Sequence, residues 1–408
     1  MASYSTAVLI FAVLFLIVIL PLTASQTLLA QELTNTPAHE LIEMAEDPQG
    51  DVRIPAIREL AKRPMSFDSI VPVLARLTMS RDERISNAAG SSLSEIGESG
   101  VEMLKPLFAE KARSSSLIAC SAAEAIGAPS KIYVPELKEL LKNGDTVERR
   151  AALFALKGIG ESNVELLDEV IGSLSDKDFN VRNMACRVLT KYGPKASKAE
   201  PRLLEMFDKD LPSVRGFSAI CLASIGPKLT TKDFAGMVAK KLEGNGPRPV
   251  APTVHGRYLV ALTMLGDESK KYLNVIRKGL NHHSTLVQGN SAFAIYRISG
   301  QSEEAREVVE KILKDEIRAP ELLGLVGELK DDAEPFVPAV TRSLDSASPE
   351  TREMAVVAVM ELGIKDPAII KKIEQKLDDP EPDVRSAAKE ALEFLKLQND
   401  FNATAEQQ

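Results

Sequence analysis

Tryptophan is absent from the 408 residues, and only 6 Tyr and 13 Phe are present. With Ala, Leu, Glu, Lys and Ser recurring throughout, such a composition favours helix over strand. Histidine is nearly as scarce: His39, His255, His282 and His283 are the full set. No H-x-x-x-H, HExxH or C-x-x-C spacing occurs, and no P-loop, nucleophile elbow or dinucleotide fingerprint sits in a suitable context. No metal site, cofactor or catalytic residue is therefore expected. Cysteine is limited to Cys120, Cys186 and Cys221, and an odd count in so long a chain does not describe a disulfide framework.

A basic excess is also missing, the formal net charge being -8. Its distribution is uneven: 10 basic against 15 acidic residues in 1–130, 13 against 12 in 131–205, 13 against 6 in 206–300 and 14 against 25 in 301–408. A nucleic-acid binder usually carries a basic domain, so duplex DNA or RNA is not the expected partner. The basic middle either attracts an anionic ligand or is an ordinary solvated surface.

One long apolar run stands out, Ala7 to Leu22. At about 1.5 Å per residue it reaches roughly 24 Å, short of the ~30 Å hydrocarbon core and near the upper size of a signal-peptide core. A cleavable secretory signal is the first reading, with small residues at Thr23-Ala24-Ser25 or Leu28-Leu29-Ala30; an uncleaved anchor extending through Ala30 is the second. Either way the remainder is expected outside the cytoplasm, because acidic residues from Glu32 to Asp51 follow the run and the first basic residue is Arg53. No Cys lies near it, so a lipoprotein is excluded.

Beyond residue 40 the chain is punctuated by glycine. In Val164 to Gly193, Leu166, Leu167, Val170, Ile171 and Leu174 share one helical face, and Val181, Met184, Ala185, Val188, Leu189 and Tyr192 share another. Between them Asp176 to Asn180 is a polar turn able to cap the second helix, and Gly193 suits the left-handed residue that ends it. The same ending recurs at Gly97, Gly127, Gly160, Gly193, Gly226, Gly266, Gly300 and Gly363. One helix pair cannot bury both apolar stripes alone, so the pairs must stack. The pattern predicts about eleven pairs over 41–397, preceded by a signal or anchor at 1–25 and a linker at 26–40, and followed by a disordered tail at 398–408.

A first helix, an Asp-containing turn, then V-R-x-x-A-x-x-x-L and a closing Gly resembles the HEAT family, and within it the phycobilisome-lyase HEAT-like repeats. The resemblance implies an all-α, right-handed superhelix with a concave binding face. It does not select a function, since the family holds scaffolds, transport receptors, phosphatase regulatory subunits, bilin lyases and a few metal enzymes. The iron enzyme of this family that hydroxylates deoxyhypusine carries several His-Glu pairs, whereas this chain has one, His39-Glu40. In such stacks the turn Asp caps a helix and meets an Arg of a neighbouring repeat, which assigns Arg53, Arg182, Arg215, Arg352 and Arg385 to a structural ladder. Cys120 and Cys186 share one slot two repeats apart; stacked helices lie ~8–10 Å apart, beyond the ~4.4–6.8 Å between bridged Cα atoms. All three cysteines read as small core residues.

The interval from Gly226 to Gly266 is longer than its neighbours because of Gly244 to Pro252, a Gly/Pro stretch that cannot be helical. Just beyond it Arg257 and Tyr258 take slots held elsewhere by Met184 and Ala185. They describe either a tolerated surface irregularity or a local site for an anion or carboxylate. On the presumed concave face, Arg150, Phe154, Lys157, Asn183, Arg187, Lys191 and Arg297 would suit an acidic, extended polypeptide. The expected function is a non-enzymatic scaffold of the cell envelope that holds a protein or other polymer in its concavity. The alternative is a bilin-lyase-like enzyme or accessory protein.

Overall fold

The computed structural model describes residues 33–47, 52–110, 112–160, 166–226, 233–244, 250–300, 303–327 and 329–405. The apolar run Ala7 to Leu22 and residues Asn245 to Pro249 of the Gly/Pro stretch lie outside the described residues. Among the described residues there is no strand, and no helix is long and apolar enough to cross a membrane.

The chain forms two compact units, Met1–Tyr192 and Gly193–Gln408. The first holds five helix pairs: α1 (Ala38–Glu46) with α2 (Arg53–Leu60), α3 (Phe67–Leu77) with α4 (Glu83–Ile96), α5 (Lys105–Ala109) with α6 (Arg113–Ile126), α7 (Val134–Asn143) with α8 (Thr146–Ile159), and α9 (Leu167–Gly172) with α10 (Phe179–Tyr192). Its second helices stack in the order α2, α4, α6, α8, α10. The second unit continues with α11 (Glu200–Lys209) and α12 (Pro212–Ile225), α13 (Phe234–Leu242) and α14 (Pro252–Leu265), α15 (Leu273–Lys278) and α16 (Thr285–Ser299), α17 (Glu303–Leu313) and α18 (Ala319–Gly327), α19 (Val337–Ser343) and α20 (Pro349–Glu361), α21 (Pro367–Gln375) and α22 (Pro382–Ala405). Here α12 through α22 stack in chain order.

Local chemistry sets the starts and stops. Pro at the first helical position opens α12, α14, α20 and α22, where its missing N–H costs no hydrogen bond and its φ is already helical. Elsewhere an acidic side chain caps: Asp145 accepts from the N–H groups of Val147 and Glu148, and the Glu148 carboxylate accepts from the Asp145 N–H at 2.8 Å, a reciprocal capping box. In the Asp176 to Asn180 turn, Asp178 accepts from the Asn180 N–H at 2.8 Å. All eight closing glycines have positive φ, from 51° at Gly193 to 80° at Gly160. That conformation brings a Cβ too close to the following carbonyl, so glycine alone enters it freely.

Two boundaries differ from the sequence pattern. Residues read as linker are docked: Leu33 is buried, and the Arg63 guanidinium donates to its carbonyl at 3.0 Å. At the other end α22 runs to Ala405, past the expected start of the tail, because neither Gly nor Pro follows Pro382 to stop it.

The core is small-residue and aliphatic. On α6 and α8 it consists of Ala119, Cys120, Ala122, Ala123 and Ile126 against Ala152, Leu153, Ala155, Leu156 and Ile159, all buried. All three cysteines are buried and outside any disulfide, and burial pushes the Cys120 thiol up to about 12, with Glu148 adding to it. A thiolate nucleophile is thereby disfavoured at Cys120.

Several ion pairs cross between consecutive repeats, and two of them are forked. Arg149 forks Asp176 at 2.7 and 3.0 Å, and Arg352 forks Asp379 at 2.8 and 2.7 Å with both side chains nearly buried. Hydrogen bonding from the Arg352 guanidinium is the main influence holding the Asp379 carboxyl below its usual range. Arg149 was not among the expected ladder residues; it stands beside Arg150, and only the structure decides which of the two turns inward. Arg53, Arg182, Arg215 and Arg385 each donate to a carbonyl preceding their own helix, on Ala45, Asp176, Asp210 and Asp379 respectively.

Candidate binding surface on the second helices

The solvent-facing row of the second helices is fixed by register. Six residues before the closing glycine stand Ser91, Ser121, Phe154 and Arg187 in the first unit and Ile220 and Val260 in the second, none of them buried, whereas Ala294 at the same register of α16 is buried. Eight before it stand Ala185 and Tyr258, both buried. A helix turns ~100° per residue, so two positions separate the outer row from the core.

In the first unit, Arg150 and Arg187 are exposed. Lys157 pairs with Glu124 at 3.0 Å across α8 and α6 and places its ammonium 4.5 Å from the centre of the Phe154 ring. An aromatic face under a cation is attractive through the ring quadrupole. Lys157 is thus held in place by two neighbours.

In the second unit the Arg257 guanidinium lies 3.9 Å from the centre of the Phe217 ring. Both residues stand nine before their closing glycine, so equivalent positions on α12 and α14 stack directly. Gly216 makes room for this: a Cβ there would come within 2.8 Å of Arg257 Cδ. Arg257 is half-buried, as Met184 is in the same register. The position is therefore a flank of the helix rather than a core slot. Tyr258 needs a different correction. It is 2% exposed, its ring meets Phe207 edge to face at 5.9 Å, and burial raises its hydroxyl. It is a core residue and presents no face to a ligand. Val260 and Met264 extend the row beside Arg257, 38% and 45% exposed, and Arg297 on α16 is exposed.

Sequence reading missed a histidine cluster behind this row. His255 on α14 lies 5.5 Å from His282, which lies 4.1 Å from His283. His255 Nδ1 is buried without a hydrogen-bond partner, and burial, reinforced by His282, lowers its pKa to about 4. His282 Nδ1 accepts from the Ser284 N–H at 3.0 Å, which puts the proton of the neutral ring on Nε2. Among the described residues no group of three or more His, Cys, Asp or Glu is placed to hold a metal ion. His39, paired with Glu40 at 3.9 Å, belongs to the surface of α1.

Residues 134–223 match the family model described as HEAT repeats. No curated protein matches the chain. Solved structures do: an engineered protein at 19% identity with a TM-score of 0.37, covering 88% of this chain and 98% of the other. Yeast importin-beta (Kap95p) is 14% identical with a TM-score of 0.45, covering 91% and 59%. Kap121p bound to Nup53p is 11% identical with a TM-score of 0.49, covering 87% and 48%. The chain spans about three-fifths of the importin-beta chain and about half of Kap121p. Residues 134–223 thus resemble HEAT repeats; the phycobilisome-lyase subgroup is not among these matches.

Proposed function

We propose that this chain is a non-catalytic HEAT-type scaffold that holds an acidic, partly apolar polypeptide along the outer row of its second helices. The reading places the repeats outside the cytoplasm, on the strength of the apolar run Ala7 to Leu22. One observation carries it: Arg257, fixed by stacking on Phe217, stands beside the exposed Val260 and Met264. An arginine held over an aromatic ring loses little further entropy when its N–H edge meets a carboxylate, and the neighbouring apolar side chains offer area to bury. Arg297 adds a second cation on the next helix, and the 206–300 segment is the most basic of the chain. Arg150 and Arg187 supply the corresponding cations of the first unit, while Lys157 is paired with Glu124.

A labelled peptide alternating Glu with Leu and Phe, titrated against the full chain, tests the reading. Arg257→Ala is expected to weaken binding by about 1–3 kcal/mol, the range of a charge-assisted hydrogen bond, with helical content unchanged. Normal binding by a variant that merely melts several degrees lower would make Arg257 a packing residue and defeat the proposal.

A further inference from the structure

The first unit carries a groove of about 670 Å³ where Ser91, Ser121 and Phe154 of the outer row meet, a part of the row on which the peptide-binding reading, carried by Arg257, does not depend. Its floor is α4, where Asn87, Gly90, Ser91 and Ser94 follow one another along one face; its sides are Ser121, Glu124 and Ala125 of α6 and Phe154 of α8, with Met79 at the end of α3. The groove has a cause in the sequence. Six residues before the closing glycine the next four second helices, α8, α10, α12 and α14, carry Phe154, Arg187, Ile220 and Val260, whereas α4 and α6 carry Ser91 and Ser121. Two successive serines lower the surface, and the larger Phe154 closes one side.

The lining mixes polar and apolar surface, and its one charge is matched by a neighbouring cation. Asn87, Ser91 and Ser94 are exposed. Each hydroxyl both donates and accepts, and an amide does so through separate atoms. Thr78 and Ser121 are already bonded to each other at 2.8 Å, and Ser86 donates to the Thr78 carbonyl, which fixes the corner beside the floor. The single carboxylate, Glu124, is neutralised by Lys157 at 3.0 Å. A strongly anionic or cationic ligand therefore gains no Coulomb energy here, and an apolar one would strip water from four polar side chains without replacing it.

We infer that this groove is a binding site for a neutral oligosaccharide. A sugar presents hydroxyls that donate and accept in turn, matching Asn87, Ser91 and Ser94 along the floor. The free edge of the Glu124 carboxylate accepts from a hydroxyl pair, and Phe154 and Met79 provide apolar wall for the C–H faces of the rings. The volume falls in the ~300–1,000 Å³ range of small-molecule sites, and Gly90 and Ala125 let a ring approach the helices closely.

Isothermal titration of the full chain with chitopentaose, cellopentaose and maltopentaose, each to about 10 mM, tests the site. At least one is expected to bind. Ser91→Trp, which fills the floor from an exposed position, and Glu124→Gln, which keeps the shape and removes the charge, should each weaken it about tenfold or more, with the melting temperature retained for Ser91→Trp. Arg257→Ala should leave sugar binding unchanged, which keeps this test separate from that of the peptide surface. Absence of binding by all three sugars would overturn the assignment. So would binding indifferent to Ser91→Trp, or displacement of the bound sugar by a neutral Gly/Ser decapeptide, which would make the groove a polypeptide site.

Discussion

At the scale of the residue, the stack is set by how closely two helices approach. A Cβ on Gly158 of α8 would stand 2.4 Å from the Glu124 carbonyl oxygen of α6 and 2.7 Å from its Cα. Backbone cannot move aside as a flexible side chain does, so the two helices would have to part. Overpacking of this kind costs about 1–3 kcal/mol, against which alanine gains only about 0.5–1 kcal/mol of helix propensity over glycine. Gly158→Ala is expected to lower stability in urea titration. Gly172 of α9, also helical at φ -55°, has nothing within 4 Å of its Cβ position; Gly172→Ala should raise stability by a few tenths to 1 kcal/mol. Equal effects at the two sites would mean that propensity, not contact, governs them. The sequence marks both glycines and distinguishes neither, because the distance to a neighbouring backbone is not written in local pattern.

At the scale of the element, the turn before α16 brings together side chains that the sequence keeps 27 residues apart, His255 and His282. The helix pairs were legible from the glycine period and the apolar faces, and so was the inward run of Ala, Cys and Leu. The histidine cluster was not, since it depends on how a turn folds back onto the preceding second helix. Its consequence is a pH dependence. The pKa of His255 falls from 6.5 to about 4 in the folded chain, first through burial and then through His282, and His282 is lowered too, through burial and His283. Both rings favour the neutral form. Their contribution is fully present above about pH 6.5 and is lost as pH falls towards 4, because the unfolded chain binds the protons first. Allowing for the solvent that reaches a half-buried ring, the loss due to His255 is on the order of 1–2 kcal/mol. Urea midpoints between pH 7 and 4.5 should fall for the natural chain and fall less for His255→Gln. The carboxylates of Asp176 and Asp379, held below 3.8, lose their contribution only at lower pH, so the two sources separate. An unchanged slope in His255→Gln would remove the cluster from the account.

At the scale of the whole molecule, a repeat array has no single active centre, and its compartment decides which partners it meets. The sequence displayed the solenoid plainly; a function is harder to read because it rests on the outer row, where Ser, Phe, Arg, Ile and Val alternate in one register without disturbing the core. The export reading stands on three features: the run Ala7 to Leu22, the acidic residues that follow it, and the absence of a nearby basic residue before Arg53. On that reading the chain would meet an oxidising medium, and the burial of its cysteines is compatible with one. Cys120, Cys186 and Cys221 are all buried and outside any disulfide, and the Cys120 thiol is pushed up to about 12, so its thiolate, the form needed for exchange, is scarce. Residues 1–40 fused to a reporter active only outside the cytoplasm should confer activity. The full chain recovered from that compartment should carry three free thiols that alkylate only after unfolding. Reporter activity confined to the cytoplasm would defeat the export reading. A disulfide in the recovered chain would show instead that the helices open far enough to bring two cysteines together, which the close approach of α6 and α8 at Gly158 argues against.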